Sequence, residues 1–581
     1  MALSRVSPLA AALLLAMLMQ MVDLALGVPP LLDGGLFDAD CYSRLARVLQ
    51  LHDGGAWWDR LDPRINAPYG ETLQWTRPFD LLIELGAEPL GRLIGYRPAL
   101  FAWGAAISPL LLAATLAMLW RGWRHQLGAG GFLLLAALMQ LSPSLIATFL
   151  PGRPDHHSLL ALLFLGQLTL MRHSLDSGPR WSAVNGVLGG LALWVSLESA
   201  VPQALFGLAL VGWWLGGRVR PRAVLWYALA LATTSTLAVL VEFPPSQWLE
   251  PAYDRLSPAQ LVPLALNTAL WLLVTAIDPA GRRRWTAALT VGGLLAAVSL
   301  ALFPKLAAGP FVDHGEIARA WLSGVSEWQP LWPANHERAA AMFNELGPAL
   351  VVVPWLALRR DAWSAFLLAG VVLFCGLSLG AVRWASYAQA VMLLPWTGLV
   401  CRLWTREGLP MRRLAAVSAI AVGFLLAMLS GPVPRPAVAG DACPVPQAAA
   451  ALDALVLSGG RPPIVMTYLY IGPELEWRSG VDLVGIPSAN QATISDTQVV
   501  LGGAEEAPAR AVVARRGIDY LLICPSGALA EDYRRPDGRS LHQRLERGEA
   551  PDWLTPLALP AAAGGFRLFR VDRSMGDPGR H

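Results

Sequence analysis

Long apolar stretches constrain this chain more than any other feature. A helix needs about 20 mostly apolar residues to cross a hydrocarbon core of about 30 Å. Hydrophobic residues make up 55% of the 581 residues and charged residues only 15%, far from the balance of a soluble protein. About 13 stretches qualify as candidate spans: 8–27, 98–120, 130–150, 158–172, 182–199, 203–217, 223–241, 259–277, 286–304, 345–358, 364–382, 384–400 and 414–432. The sequence therefore predicts an α-helical polytopic membrane protein.

The arginines give the predicted orientation, because cytoplasmic loops of membrane proteins are enriched in Lys and Arg. They cluster in alternate loops, beginning with Arg121 and Arg124. The remaining loops are then external: 28–97, 151–157, 242–258, 305–344 and the tail from about 433. The strong preference for Arg over Lys is typical of a GC-rich bacterial genome, so we predict a bacterial inner membrane protein with these loops in the periplasm. A net charge of +3 indicates no nucleic-acid partner.

The N-terminus fits two interpretations. Arg5, the apolar run from Leu9 and the small residues at 25–27 have the order of a cleaved signal peptide, and the same run is long enough for a signal anchor. Both interpretations place residue 28 outside the membrane.

The sequence changes character after the last candidate span. From about 436 to 581, strand-like runs alternate with Ala-rich helical stretches at 447–457 and 505–515, a pattern typical of an α/β domain. The strand-like runs are Pro463–Met466, Asp482–Ile486, Tyr520–Ile523 and Phe566–Val571. We predict a membrane domain at 1–432, with external loops 28–97 and 305–344, and an external α/β domain at 433–581. Cys443 and Cys524 either pair in this oxidising compartment or stay reduced, since spacing alone fixes no geometry.

The first external loop contains the acidic pair Asp38 and Asp40 at the start of an amphipathic helix. Two neighbouring carboxylates repel each other unless a cation lies between them, so a divalent metal is one explanation. The alternative is that Asp40 caps the helix and stabilises its first turn without any ligand.

The second external loop is short and carries Asp155, His156 and His157 in a row. Titratable groups at a membrane edge are costly unless they are paired or hydrated, so these residues are candidate metal ligands. The alternative is a helix cap by Asp155 beside two interfacial histidines. Side chains of successive helical residues point about 100° apart, so we expect at most one of the histidines to share a site with Asp155.

The loop 305–344 is long and polar, which is typical of functional loops. Its Glu327 is flanked by Val325, Trp328 and Pro330, which predicts partial burial. Arg383 ends a later span on the external side, against the trend of the other arginines. It is a candidate anion ligand, or else it pairs with an acidic loop.

Five motifs in order resemble the catalytic subunit of oligosaccharyltransferase, whose bacterial and archaeal relatives belong to the GT-C class of polytopic glycosyltransferases. They are Asp40-Cys41-Tyr42 with Leu45 and Arg47, Tyr69-Gly70 with Trp75 and Pro78-Phe79-Asp80, Gly152 with Asp155-His156-His157, Val325-Ser326-Glu327 with Gln329-Pro330, and Arg383. The resemblance covers about 1–432 and implies a GT-C fold of about 13 transmembrane helices followed by an external domain.

The resemblance also implies residue roles. Asp40 matches the metal-associated aspartate of the first loop, while alignment on Asp38 instead places Arg44 at an arginine of eukaryotic relatives, so both aspartates stay candidates. Asp155 and His156 match the second motif, which helps to hold Mg²⁺ or Mn²⁺. Glu327 matches a glutamate that completes the metal site and helps to position the acceptor. Arg383 matches an arginine that contacts the phosphates of the donor.

The implied activity is metal-dependent, inverting transfer of a sugar or oligosaccharide from a polyprenyl phosphate or pyrophosphate to an acceptor on the external face. The acceptor is a protein, a lipid or a glycan. The family's C-terminal Trp-Trp-Asp motif, which reads peptide acceptors, is missing from 433–581, and Trp57-Trp58-Asp59 lies in the first loop instead. A non-enzymatic transporter or flippase of lipid-linked saccharides is the alternative.

Overall fold

The computed structural model describes residues 7–28, 30–405, 410–430, 443–459, 461–488, 490–526 and 528–572. The helices of the N-terminal part are α1 Pro8–Ala25, α2 Ala39–His52, α3 Arg77–Ile94, α4 Tyr96–Gln140, α5 Pro143–Ala147, α6 His157–Ser177, α7 Pro179–Val195, α8 Ala200–Leu215, α9 Pro221–Glu242, α10 Pro258–Ile277, α11 Arg283–Leu302, α12 Glu316–Gly324, α13 His336–Leu346, α14 Ala349–Ala357, α15 Ala362–Gly380, α16 Ala385–Thr405 and α17 Pro410–Ser430. A short antiparallel ribbon of β1 (Leu61–Asp62) and β2 (Glu71–Thr72) lies in the first long loop.

Every predicted apolar stretch coincides with a helix. Within the described residues, eight helices are long and apolar enough to cross a membrane, or nine if α13 and α14, bent by 49°, form one span. The second stretch and the first half of the third belong to α4, which is kinked at Gly128 with a φ of 63°, and the rest of the third contains α5. Glycine adopts this left-handed conformation without strain because it has no Cβ. The helices make this an integral membrane protein of the predicted polytopic class.

Helix α16 forms the centre of the membrane bundle. It packs against α4, α5, α6, α14, α15 and α17, and its residues Val391, Met392 and Leu393 are fully buried. Helix α11 lies at the other extreme, with Leu289 73% exposed. An apolar side chain so exposed is compatible with a lipid-facing position. The bundle therefore has a protein-packed centre and an apolar outer surface.

The C-terminal part is an α/β unit. Its helices are α18 Val445–Gly459, α19 Gly472–Arg478, α20 Gln491–Thr497, α21 Glu506–Arg516 and α22 Leu541–Glu546, and its strands are β3 Ile464–Met466, β4 Asp482–Leu483, β5 Tyr520–Ile523, β6 Leu554–Leu557 and β7 Arg567–Val571. The strand order is β4-β3-β5-β7-β6. Strand β3 runs parallel to β4 and β5, whereas β7 runs antiparallel to β5 and β6.

The predicted strands and the two predicted helices of this unit are confirmed, with α19, α20, α22 and β6 as additions. Sequence reasoning missed β6 because Pro556 interrupts it. Proline lacks a backbone donor and is tolerated at a sheet edge, where β6 lies. Cys443 and Cys524 form a disulfide. The boundary predicted at 432/433 lies outside the described residues.

The first long loop docks along the edge of the C-terminal sheet. The Leu483 amide of β4 donates to the Arg64 carbonyl at 2.7 Å, and the Ala67 amide donates to the Leu483 carbonyl at 2.9 Å. The buried Arg516 donates from α21 to the carbonyl of Ala67 at 2.9 Å. An edge strand left bare is prone to non-native pairing, so this loop both covers the edge and joins the two parts of the molecule.

Candidate active site

A cavity of about 530 Å³ lies where the loops meet the ends of the membrane helices. Its titratable lining includes Asp40, His156, His157, Glu198, Glu242, Asp254, Arg255, Glu327 and Arg383. Four predicted site residues, Asp40, His156, Glu327 and Arg383, thus line one cavity although they are far apart in sequence. Its volume lies within the range of roughly 300–1,000 Å³ that is typical of small-molecule sites.

The two aspartates of the first loop occupy different positions. Asp38 precedes α2 and caps it, accepting a hydrogen bond from the Cys41 amide at 3.0 Å. The interpretation that Asp40 is the helix cap is therefore wrong: Asp40 lies inside the first turn, and its side chain lines the cavity. Asp38 is 3.9 Å from Arg153 Nε, so its charge is balanced from outside the helix.

Asp40 experiences a strongly negative environment. It is open to solvent through the cavity and otherwise surrounded by protein, and burial raises the pKa of its carboxyl well above the usual range. The carboxylates of Asp38, Asp155 and Glu327 raise this pKa further. Like charges gathered in this way disfavour ionisation unless a cation relieves them. The geometry therefore suits a bound cation.

Asp155 holds both neighbouring histidines. Its Oδ1 is 2.8 Å from His156 Nδ1, and its Oδ2 is 2.7 Å from His157 Nδ1. The expectation that only one histidine shares a site with Asp155 is wrong, because α6 begins at His157 and His156 precedes it. The 100° separation applies within a helix, and a carboxylate has one oxygen for each imidazole.

Electrostatics keeps Asp155 ionised. Burial alone would raise its pKa, but the charges of His157 and His156 and their hydrogen bonds hold the pKa of Asp155 well below its usual range. Both imidazoles line the cavity, whereas the Asp155 side chain is almost fully buried. Asp155 thus orients two nitrogen donors towards the same space.

A buried ion cluster supports this motif from the first loop. Asp80, fully buried on α3, accepts from Arg44 Nη1 at 2.8 Å and from Arg47 Nε at 2.7 Å. Burial would raise the pKa of Asp80, but the charges of Arg47 and Arg44 hold it below its usual range. Arg44 Nη2 also lies 3.4 Å from His156 Nδ1. The sequence motif around Asp80 therefore reaches the cavity through Arg44.

Arg383 also lines the cavity and is held in place by an ion pair and a ring contact. It forms an ion pair with Glu198, which lies between α7 and α8. The Tyr387 hydroxyl donates to Glu198 Oε1 at 2.9 Å, and the guanidinium lies 4.4 Å from the centre of the Trp328 ring. The prediction that Arg383 pairs with an acidic group is thus met by Glu198, a residue between two helices instead of one in a polar loop.

Backbone hydrogen bonds connect the Glu327 loop to the turn of Arg383. The Val382 amide donates to the Gln329 carbonyl at 2.9 Å, and the Leu331 amide donates to the Ser378 carbonyl at 3.3 Å. Glu327 itself lies in a short 3₁₀ turn, Ser326–Trp328, and is half-buried as predicted. The two side chains therefore keep a defined separation.

The C-terminal unit closes the cavity. Tyr470 lines it and stacks on Trp321 of α12, with ring centres 6.3 Å apart. Burial, Asp532 and then the charges of Asp40 and Glu327 raise the pKa of Tyr470 to about 12. Helix α12 also packs against α20. The loop that carries Glu327 is thus held by both halves of the molecule.

The donor set fits a divalent cation. Ligand atoms of Asp155, His156 and His157 lie within 4.8 Å of one another. Asp40 and Glu327 are not in this close group, although their charges act on it. Carboxylates combined with imidazoles suit several divalent metals, including Mn²⁺ and Zn²⁺.

Solved structures with this arrangement of helices include the archaeal oligosaccharyltransferase AglB from Archaeoglobus fulgidus, in complex with an inhibitory peptide and a dolichol-phosphate. The TM-score is 0.65 at 15% identity, over 89% of this chain and 69% of that one. The same organism's oligosaccharyltransferase in complex with Zn and sulfate gives 0.61 at 16% identity, over 88% and 67%. This chain has the oligosaccharyltransferase fold. Neither a protein-family model nor a curated protein matches it by sequence.

The likeness confirms the fold inferred from the five motifs. At such low identity it establishes architecture alone, so the residue roles rest on the geometry described above. The Trp-Trp-Asp sequence of the first loop has a structural role: both indoles, of Trp57 and Trp58, donate to the Val241 carbonyl, at 2.7 and 3.1 Å. This supports keeping it apart from the peptide-reading motif of the family.

Sequence reasoning missed two residues of this site. His157 was in the recognised motif but was expected to point away. Glu198 was detectable only as a carboxylate at the end of an apolar stretch, and its partner Arg383 is 185 residues away. Charges inside apolar stretches are the signal for such positions, since they are costly unless they are paired or functional.

Proposed function

We propose that this chain is a GT-C glycosyltransferase that transfers a sugar or oligosaccharide from a polyprenyl phosphate or pyrophosphate to an acceptor. The observation that carries the proposal is the cavity in which Asp40, the imidazoles held by Asp155, Glu327 and Arg383 meet. Carboxylates, imidazoles and a guanidinium on one cavity suit a ligand with an anionic phosphate and a cation. The solved neighbours, AglB with dolichol-phosphate among them, make a lipid phosphate the natural donor.

Arg383 is the proposed contact for the donor phosphate. Its ion pair with Glu198 and its position over Trp328 fix the direction of the guanidinium. A fixed guanidinium donates two parallel hydrogen bonds to phosphate oxygens. In a partly enclosed cavity, such preorganised charge stabilises the negative charge that develops on a departing phosphate.

The proposed metal site consists of Asp40, Asp155, His156 and Glu327, with His157 as a further candidate. A divalent metal there would neutralise charge on the leaving phosphate. Of Mg²⁺ and Mn²⁺, the histidines favour Mn²⁺, because Mg²⁺ prefers oxygen ligands. Asp40 is the better candidate of the two first-loop aspartates, since it lines the cavity while Asp38 caps α2.

Glu327 is proposed to orient the acceptor as well. It lies on the cavity wall beside Trp328 and near Tyr470 of the C-terminal unit. The tryptophans Trp194, Trp328 and Trp384, which also line the cavity, reduce the access of water that would otherwise hydrolyse the donor. The distribution of arginines supports a site on the external face, in the periplasm of a bacterial inner membrane. Transfer there proceeds with inversion at the sugar, as the family resemblance implies.

The test compares wild type with Asp40→Ala, Asp155→Ala and Glu327→Ala in membranes supplied with labelled polyprenyl-linked sugar, with and without EDTA. We expect transfer by wild type, a loss of at least 100-fold in each variant and in EDTA, and recovery with added Mn²⁺. Glu316→Ala is the matched control, because Glu316 is exposed on the same loop and should retain wild-type rates. Asp38→Ala should lose less transfer activity than Asp40→Ala.

The outcomes separate enzyme from transporter. Full activity in all three variants would refute the proposed site. Translocation of the lipid-linked saccharide without transfer, unaffected by EDTA, would instead support the flippase. The configuration of the new glycosidic bond, read by NMR, tests inversion independently.

A further inference from the structure

A second, polar groove lies next to the reaction cavity. It has a volume of about 380 Å³ and shares Gln74, Trp75, Asp254, Pro487 and Ser488 with the cavity. The β-ribbon of the first loop forms one wall, and the segment before α20 forms another. The groove and the cavity are therefore direct neighbours.

The groove differs from the cavity in charge. None of the described residues that line it is Arg or Lys, while Glu71 and Asp254 contribute carboxylates. The cavity also has carboxylates, but it contains Arg255 and Arg383 as well. A phosphate or an acidic sugar would meet repulsion in the groove, so the anionic part of a donor belongs at Arg383 and an uncharged part belongs in the groove.

The polar groups of the groove suit hydroxyl ligands. Glu71 Oε2 accepts from Asn490 Nδ2 at 3.1 Å and also bonds Ser488. Carboxylate and amide oxygens accept hydrogen bonds from hydroxyls, and amide and hydroxyl groups donate to them. The buried Nδ1 of His314 has no hydrogen-bond partner among the described residues, and such groups usually have one. Trp75 adds a large apolar surface beside these groups.

We infer that this groove binds neutral sugar units next to the reaction cavity; this inference rests on the proposed function. The chain then acts on an uncharged oligosaccharide. The sugar units belong either to the glycan of the donor or to a glycan acceptor. The shared chemistry is a chain of hydroxyl-bearing rings without carboxylate or phosphate. Blocking the groove lowers the affinity for the donor if the sugar units belong to the donor, and the affinity for the acceptor if they belong to the acceptor.

Binding of free saccharides tests the groove without any requirement for transfer. Purified full-length protein is titrated with neutral gluco-, manno- and galacto-tetrasaccharides. Tetragalacturonate is the acidic control of the same length. We expect a neutral tetrasaccharide to bind more tightly than its monosaccharide and than tetragalacturonate. Thr72→Trp, at an exposed groove position, should weaken that binding about tenfold, or about 1.4 kcal/mol.

Two further variants guard this result. Leu249→Trp adds the same indole at a position that is 87% exposed and outside the groove, and it should bind like wild type. Gln74→Ala removes a polar groove residue without adding bulk and should weaken binding severalfold. The inference is overturned if no neutral saccharide binds, if tetragalacturonate binds better, or if Thr72→Trp and Gln74→Ala both bind like wild type.

Transfer assays then identify the source of the sugar units. If the donor glycan occupies the groove, Thr72→Trp raises about tenfold the ratio of KM for a tetrasaccharide-linked donor to KM for a monosaccharide-linked donor. If the acceptor occupies it, the KM of a glycan acceptor rises with both donors. If wild type transfers sugar from none of the donors, the proposed function is contradicted. The saccharide-binding result remains valid in that case.

Discussion

The buried ion cluster around Asp80 is expected to stabilise the first loop and the site together. Asp80→Asn keeps the shape of the side chain but leaves Arg44 and Arg47, which are 2% and 4% exposed, without their anionic partner. Breaking a buried pair in this way costs roughly 3–5 kcal/mol. The lower end applies here, since Arg47 keeps its bond to the Leu73 carbonyl at 3.2 Å and Arg44 keeps its contact with Trp75.

Hydrogen exchange measures this loss locally. At 1.4 kcal/mol per factor of ten, about 3 kcal/mol corresponds to exchange roughly 100-fold faster for amides of α2, provided that α2 opens as a unit. Sugar transfer should fall as well, because Arg44 lies beside His156. Glu88→Gln is the matched control: Glu88 lies on the same helix and has surface contacts with Arg92 and His52, each of which contributes less than about 1 kcal/mol. Unchanged protection of α2 in Asp80→Asn would refute the reasoning.

Three further predictions concern separate contacts. Arg383→Lys keeps the charge but loses the planar guanidinium, so the KM for the lipid-linked donor should rise at least tenfold. Arg360→Lys is the control: Arg360 is exposed before α15, whereas Arg383 follows it, and the KM should stay unchanged. Burial and Asp62 raise the pKa of Glu476 well above its usual range. The folded state therefore binds that proton more tightly, and its stabilising effect is full below the unfolded pKa and lost as pH rises through the folded pKa. Thermal midpoints should fall over that window in wild type and less in Glu476→Gln; parallel curves would count against a raised pKa. Reduction of the Cys443–Cys524 disulfide, which closes a loop of 81 residues, should lower the stability of the C-terminal unit by about 2–5 kcal/mol, measured by urea denaturation, and an equal midpoint with and without reductant would contradict it.

Local patterns in the sequence account for much of the fold. The apolar stretches predicted the helices, because a span needs a continuous apolar run. Tyr520–Ile523 was recognisable as a strand because it combines apolar residues with turn signals at its ends. The edge strand β6 was not, because Pro556 is a strand breaker except at an edge, and edge position depends on the whole sheet.

The site was only partly predictable, for a related reason. Asp40, Asp155 and Glu327 stood out as acidic residues near apolar stretches. Asp40 and Glu327 line one cavity, and Asp155 holds two histidines that line it. The roles of Asp38 and Asp40 could not be separated, because a cap and a ligand need the same residue types at the same spacing. The pairing of Arg383 with Glu198 depends on how α7, α8 and α16 approach one another, and no local pattern records that approach.

The missing peptide-reading motif limits what the acceptor can be. Trp57 and Trp58 are both bonded to the carbonyl of Val241, where α9 ends, so they anchor the loop instead of facing a substrate. The C-terminal unit instead presents Tyr470 and Ser488 to the cavity. A tyrosine and a serine form hydrogen bonds with hydroxyl groups, and the Trp-Trp-Asp sequence that reads peptides in the family is missing from 433–581. Because specificity for a hydroxyl side chain needs buried polar partners that are left unpaired by the wrong substrate, we expect a sequon peptide to be a poor acceptor, and a glycan or lipid hydroxyl to be a better one.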